Sequence, residues 1–206
     1  MMRDAWDKLR VENHILTYGP PGDPLPRYAL RMQIAAQRVR CDSVLDVACG
    51  VGHLYPLLEP QVWKYKGVDS SFEMIKRARE YFPAAEFEVG DAYDLAEEEL
   101  YDTVIAMSLL IHIDRADTKR ILNELWAHAK EQLLFTIPID KDFTRVLTLS
   151  RKVPESSGKT LITHTTHERL DVMLAELQPG RISKIPFRKG AFGYGLKDFL
   201  VEVLRS

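Results

Sequence analysis

The run VLDVACGVGHLYPLL, from Val44 to Leu58, constrains this chain more than any other stretch. Val44 to Val47 reads as a short buried strand that carries one acid, Asp46. It runs straight into two glycines, Gly50 and Gly52. Without a Cβ, glycine reaches positive φ and lets a ligand lie against the main chain. In an open parallel sheet, ligands bind beyond the carboxyl ends of the strands, where the strand order switches. A tight turn with no ligand uses glycines in the same way, so the rest of the sequence has to decide.

Downstream, strands and helices alternate. Tyr65 to Val68 reads as a second strand, closed by Asp69. Ser70 and Glu73 form a capping box, and Phe72, Ile75, Ala78 and Phe82 follow at roughly helical spacing up to Pro83. Glu86 to Val89 and Asp102 to Met107 read as strands three and four, with only a short crossover between them. Ile121, Leu122, Leu125, Trp126 and Ala129 make an amphipathic helix stripe before a fifth strand, Gln132 to Ile137. A second capping box, Thr165 and Glu168, precedes another helix. This alternation predicts an α/β fold, a doubly wound and mostly parallel sheet with right-handed crossovers. Ile182 to Phe187 and Asp198 to Leu204 are strand-like, and the glycine-rich RKGAFGYGLK between them has no helical stripe. That link predicts an antiparallel last strand. The whole chain, residues 1–206, is expected to be one domain, with residues 1–40 a helical or lid segment and residues 140–164 an irregular insertion.

Charge narrows the function classes. Lys plus Arg number 28 against 30 Asp plus Glu, so nothing draws the whole molecule to nucleic acid or an anionic membrane. The start, MMRDAWDKLR, lacks the apolar stretch of a signal peptide, and no apolar run reaches the roughly 18 residues of a membrane span. Cys41 and Cys49 form no CxxC pair. A reduced, cytoplasmic setting is the expectation. His164 and His167 have HxxH spacing but no clear third ligand nearby, so no metal is expected.

Two nucleotide cofactors fit a glycine turn followed by an acid. The dinucleotide fingerprint GxGxxG needs a third glycine, where this chain has Tyr55. Asp69 stands 19 residues after Gly50, which suits either cofactor. Asp46 near the loop disfavours a pyrophosphate, whereas a cationic sulfonium tolerates carboxylates.

The series DVACGVG, GVDSS, VGDAYDL, YDTVIAMSLLIHI and LLFTIP resembles the class I S-adenosylmethionine-dependent methyltransferases over roughly Val44 to Ile137. The resemblance implies a seven-stranded Rossmann-like sheet with helices on both faces. It implies that Ala48, Cys49, Gly50 and Gly52 pack against the methionine part of the cofactor, with Asp46 supporting that loop. Asp69 would take both ribose hydroxyls, which suits a two-oxygen acceptor. Ser70 and Met74 would border the ribose and adenine. Asp91, the Ala92 amide and Tyr93 would serve the adenine, and the Met107 carbonyl the cofactor's amino group. LRMQIAAQR, Leu30 to Arg38, resembles the helix before strand one of quinone-type O-methyltransferases, where an arginine at the place of Arg31 holds the cofactor carboxylate. A solvated surface arginine is the other reading. Tyr18, before Gly19 and Pro20, reads as a lid over the cofactor or as a loop anchor.

His112 lies five residues after Met107, on a loop that faces the methyl group in this family. It reads as a general base or as a histidine packed at the sheet edge. Trp6, His14 and Tyr28 are further candidates for the acceptor side. The expected reaction moves a methyl group from S-adenosylmethionine to a small-molecule acceptor and leaves S-adenosylhomocysteine. An NAD-dependent oxidoreductase and a non-catalytic partner subunit are the alternatives. The near-neutral charge leans away from nucleic acid acceptors. So does the run after strand four, MSLLIHI, which lacks an Asn/Asp-Pro-Pro-aromatic motif. Oligomeric state is not readable.

Overall fold

The computed structural model describes residues 8–40, 42–95, 99–139, 143–148, 159–187 and 198–206. Its strands are β1 (Ser43–Val47), β2 (Lys64–Asp69), β3 (Glu86–Val89), β4 (Tyr101–Ala106), β5 (Ala129–Pro138), β6 (Phe143–Thr148), β7 (Lys159–His164), β8 (Arg181–Pro186) and β9 (Asp198–Leu204). The helices are α1 (Lys8–Tyr18), α2 (Pro26–Ala36), α3 (Tyr55–Leu58), α4 (Phe72–Tyr81), α5 (Thr118–His128) and α6 (His167–Ala175). Seven strands form one sheet in the order β3-β2-β1-β4-β5-β9-β8. Pairs among β1 to β5 are parallel, and β9 runs antiparallel to both β5 and β8. The strand order reverses between β1 and β4, so the glycine loop after β1 opens at the switch point.

Both faces of the sheet are covered, because successive side chains of each strand point opposite ways. Val44, Ile105, Leu134 and Leu200 face a core made with Met32 and Ala35 of α2, Leu58 of α3 and Ile75 and Ala78 of α4. Leu45, Val104, Leu133 and Val201 face the other core, with Ile121 and Leu125 of α5 and Leu170 and Leu174 of α6. Asp46 follows the register of Val44 and so points to the first of these faces.

The structure corrects three details. Neither capping box forms, because each helix is capped by the hydroxyl residue one position later, which leaves Met74 and Arg169 rather than a glutamate at the third position. Ser71, not Ser70, caps α4, its hydroxyl accepting from the Met74 N–H at 3.2 Å. Likewise Thr166, not Thr165, caps α6, accepting from the Arg169 N–H at 3.1 Å. A cap needs extended backbone and an oxygen facing the third amide, and in each case the second hydroxyl residue of the pair meets both conditions. Third, the segment 140–164 is not irregular where it is described: β6 and β7 pair as an antiparallel hairpin. Its far end docks on the turn after β4, where the Thr163 hydroxyl donates to the Ile113 carbonyl. The link 188–197, expected to be hairpin-like, lies outside the described residues.

Candidate active site

The loop after β1 is built on left-handed backbone. Ala48 has φ +61°, Gly50 +58° and Gly52 +83°. At Gly52 the conformation and the space agree: an added Cβ would lie 2.9 Å from Phe87 Cζ and 3.3 Å from the Phe82 ring. Gly52→Ala is expected to destabilise the fold by about 2–4 kcal/mol, from backbone strain plus overpacking. A melting curve should fall by roughly 5–15 °C, and an unchanged midpoint would refute the packing argument. Gly50 differs, for only Met74 Sδ comes as near as 4.0 Å to its added Cβ. The space above Gly50 is open, and Met74 borders it.

Asp69 ends β2 and ties this loop down. Its Oδ2 accepts from the Gly50 N–H and its Oδ1 from the Ser71 N–H, both at 2.9 Å. Burial pushes its carboxyl up, and these two amides pull it back. A carboxylate has about four lone-pair sites, so the two amides leave acceptor capacity on both oxygens. Ser70 is exposed beside it.

Beneath the loop, Asp46 is 1% exposed and its Oδ2 accepts from the Tyr65 hydroxyl at 2.8 Å. Burial pushes its carboxyl up to about 7; the Tyr65 hydrogen bond opposes this and the charge of Asp69 adds to it. Cys49 is buried nearby, its thiol driven well up by burial and by the same two carboxylates. Such a thiol stays protonated and inert.

The next strand tips bring the other predicted residues to the same edge. The Gly90 N–H donates to the Asp69 carbonyl at 3.0 Å, which sets Asp91 beside Asp69. Asp91 Oδ1 accepts from the Tyr93 N–H at 3.1 Å. Ala92 is buried. Tyr93 is held on the α5 side, its hydroxyl donating to Asp117 at 3.1 Å and its ring under Arg120. Across the switch point Met107 is buried, and Ser108 has φ +63°. The Ser108 N–H donates to Thr136 Oγ1 at 2.7 Å. His112 ends the 3-10 turn Leu110–His112 and is half-buried.

The N-terminal helices lie over this edge. Val11 and Ile15 of α1 pack with Val51 and Met74, covering the glycine loop. The Tyr18 ring packs at a tilt, 4.6 Å from both His14 and Tyr28, and Tyr28 meets His53 edge-on at 5.0 Å. His53 donates through Nε2 to the Gly19 carbonyl at 2.9 Å, since a carbonyl can only accept. Burial, then the neighbouring His53 and His112, lower the His14 pKa to about 3. Arg31 is not a solvated surface arginine. It is 1% exposed, and its Nη2 lies 2.7 Å from Asp198 Oδ2 and 3.4 Å from Ser108 Oγ. Trp6 lies outside the described residues.

Asp46, Ala48, Cys49, Gly50, Gly52, Asp69, Ser70, Met74, Asp91, Ala92, Tyr93, Met107 and His112 thus sit at or just beyond the carboxyl ends of four adjacent strands. Tyr18 reaches them through Tyr28 and His53, and Arg31 through Ser108. Sequence reasoning passed over Ser108, His53, Tyr65 and Asp198. Only Ser108 had a signal, as the residue right after the strand-four tip. Among the described residues no helix is long and apolar enough to cross a membrane.

Residues 44–132 match the family model described as a methyltransferase domain. No curated protein shows significant similarity. Among solved structures, magnesium protoporphyrin IX methyltransferase (ChlM) from Synechocystis PCC 6803, with bound SAM, is 18% identical with a TM-score of 0.72, covering 100% of this chain and 95% of that one. Streptomyces venezuelae DesVI is 17% identical with a TM-score of 0.71, covering 98% and 100%. The glycopeptide N-methyltransferase MtfA, complexed with S-adenosyl-L-methionine, is 15% identical with a TM-score of 0.66, covering 97% and 98%. At such identities the likeness is one of fold. Residues 44–132, which carry the loop motifs, thus match a methyltransferase domain, and the seven-stranded sheet with its single reversed strand shares the fold of these solved methyltransferase structures.

Proposed function

We propose that the chain, as one domain, transfers a methyl group from S-adenosylmethionine to a small-molecule acceptor. The observation that carries this reading is Asp69. Its carboxylate is fixed by the Gly50 and Ser71 amides beside open main chain, with acceptor capacity left on both oxygens. That is what two vicinal ribose hydroxyls require. Asp91 on the adjacent tip suits the adenine amino group, and the open main chain at Gly50 suits the methionine part. Tyr55, in the place of a third glycine, packs its ring at 5.1 Å on both Tyr65 and Phe82, so that position serves the core rather than a pyrophosphate.

Methyl transfer is a displacement at carbon already activated by sulfonium. Alignment and exclusion of water supply most of the catalysis, about 7–11 kcal/mol from orientation. α1, packed on Val51 and Met74, and the Tyr18–Tyr28–His14 ring cluster would exclude water from the reacting atoms. His112 is the group we assign to take a proton from the acceptor when it carries one, with neutral His14 near it. The small-molecule class is supported by the names of the fold relatives, which include porphyrin and glycopeptide methyltransferases. Titration calorimetry tests the reading. Micromolar binding of S-adenosylhomocysteine with no binding of NADH is the expected result, and absence of the first sinks the proposal.

A further inference from the structure

We infer that Asp198, the first residue of β9, is a positioning residue: it holds the Arg31 guanidinium where it receives the carboxylate of the cofactor. This rests on the cofactor reading above and deepens it. Arg31 comes from α2 and Asp198 from the far end of the chain, 167 positions away. Both side chains are buried, 1% and 3% exposed, at 2.7 Å. On one side the guanidinium lies 5.2 Å from the Phe187 ring centre, and the Phe187 N–H donates to the Asp198 carbonyl at 2.9 Å. On the other, Nη2 is 3.4 Å from Ser108 Oγ, at the tip of β4. Asp198 pairs in register with Pro138 at the carboxyl end of β5. The arginine is therefore pinned beside the β4 tip, beneath the surface, by a strand that contributes none of the loop motifs.

Burial of this pair is weak evidence that it serves stability. Replacing a buried ion pair by apolar residues is often neutral or stabilising, because desolvation offsets the attraction. Its position at the ligand edge gives it a different use. A planar guanidinium fixed by one carboxylate is pre-organised to meet a second in two-point geometry.

Two ligands separate positioning from structure. S-Adenosylhomocysteine carries the amino-acid carboxylate; methylthioadenosine shares its nucleoside and thioether but lacks that end. In Asp198→Asn the preference for S-adenosylhomocysteine over methylthioadenosine should fall at least tenfold, with methylthioadenosine affinity within twofold of wild type. Added to Arg31→Gln, Asp198→Asn should lower it no further, because the group it positions is already gone. If Asp198→Asn does not fold, Asp198→Glu carries the test, since it keeps the charge but moves it by one methylene; its preference should fall severalfold. An unchanged preference, or equal weakening of both ligands, overturns the inference. Failure of wild type to bind either ligand instead removes the cofactor reading itself.

Discussion

Replacing Asp69 by alanine is expected to weaken binding of S-adenosylhomocysteine by 100-fold or more. Two losses combine. Charge-assisted hydrogen bonds to ribose hydroxyls are worth about 1.5–3 kcal/mol each, so two of them account for about 3–6 kcal/mol, or a factor of roughly 10² to 10⁴. The second loss is of the loop itself, since the same carboxylate anchors the amides of Gly50 and Ser71. Asp69→Asn separates them. Its amide keeps one acceptor but turns an NH₂ toward one of the two backbone donors, so one anchor is exchanged for a repulsion. Calorimetry on Asp69→Ala, Asp69→Asn and wild type should rank them in that order of increasing affinity, with thermal melts to confirm folding. Retention of affinity within threefold in folded Asp69→Ala contradicts a ribose role for this residue.

That Asp69 could be singled out from sequence has a physical reason. It ends a strand next to the glycine strand, and parallel pairing brings adjacent tips to one edge whatever the details of the loops. The same logic covers Asp91 and Met107. Periodicity located the antiparallel β9 because the peptide between it and β8 is too glycine-rich for a crossover helix. Illegible features were of two kinds. Ala48 and Ser108 adopt left-handed backbone without being glycine, and Ser71 rather than Ser70 caps α4; each depends on local geometry that residue type alone does not set. The Arg31–Asp198 pair joins opposite ends of the chain, and no spacing rule reaches that far. For this reason Arg31 reads equally well from sequence as a surface residue. The β6–β7 pair was hidden by its weak alternation and by Pro154, Ser156, Ser157 and Gly158 in the sequence between the two strands.

Asp46→Asn should flatten the dependence of stability on pH. Burial raises the folded-state carboxyl to about 7, against about 4 in an unfolded chain. Folding then takes up a proton between those values. The contribution of Asp46 to stability is complete below about pH 4, declines as pH rises, and is gone above about pH 7. The full span is on the order of 4 kcal/mol. Between pH 5 and pH 8 wild type should therefore lose roughly 2–4 kcal/mol more than Asp46→Asn, which keeps an acceptor for the Tyr65 hydroxyl but never ionises. Asp198, whose carboxyl burial raises to about 6, contributes to both proteins and cancels in the comparison. Denaturant titrations at the two pH values check this, and parallel pH profiles would count against it. A ligand extends the argument. A sulfonium over the glycine loop favours the ionised form of Asp46, while the uncharged thioether of the product does not. Wild type should consequently favour S-adenosylmethionine over S-adenosylhomocysteine more strongly at pH 8 than at pH 6, and Asp46→Asn should show no such change. For the proposed reaction, the charge of this buried acid would favour the methyl donor above neutrality, and loss of the methyl group would remove that attraction and help release the product.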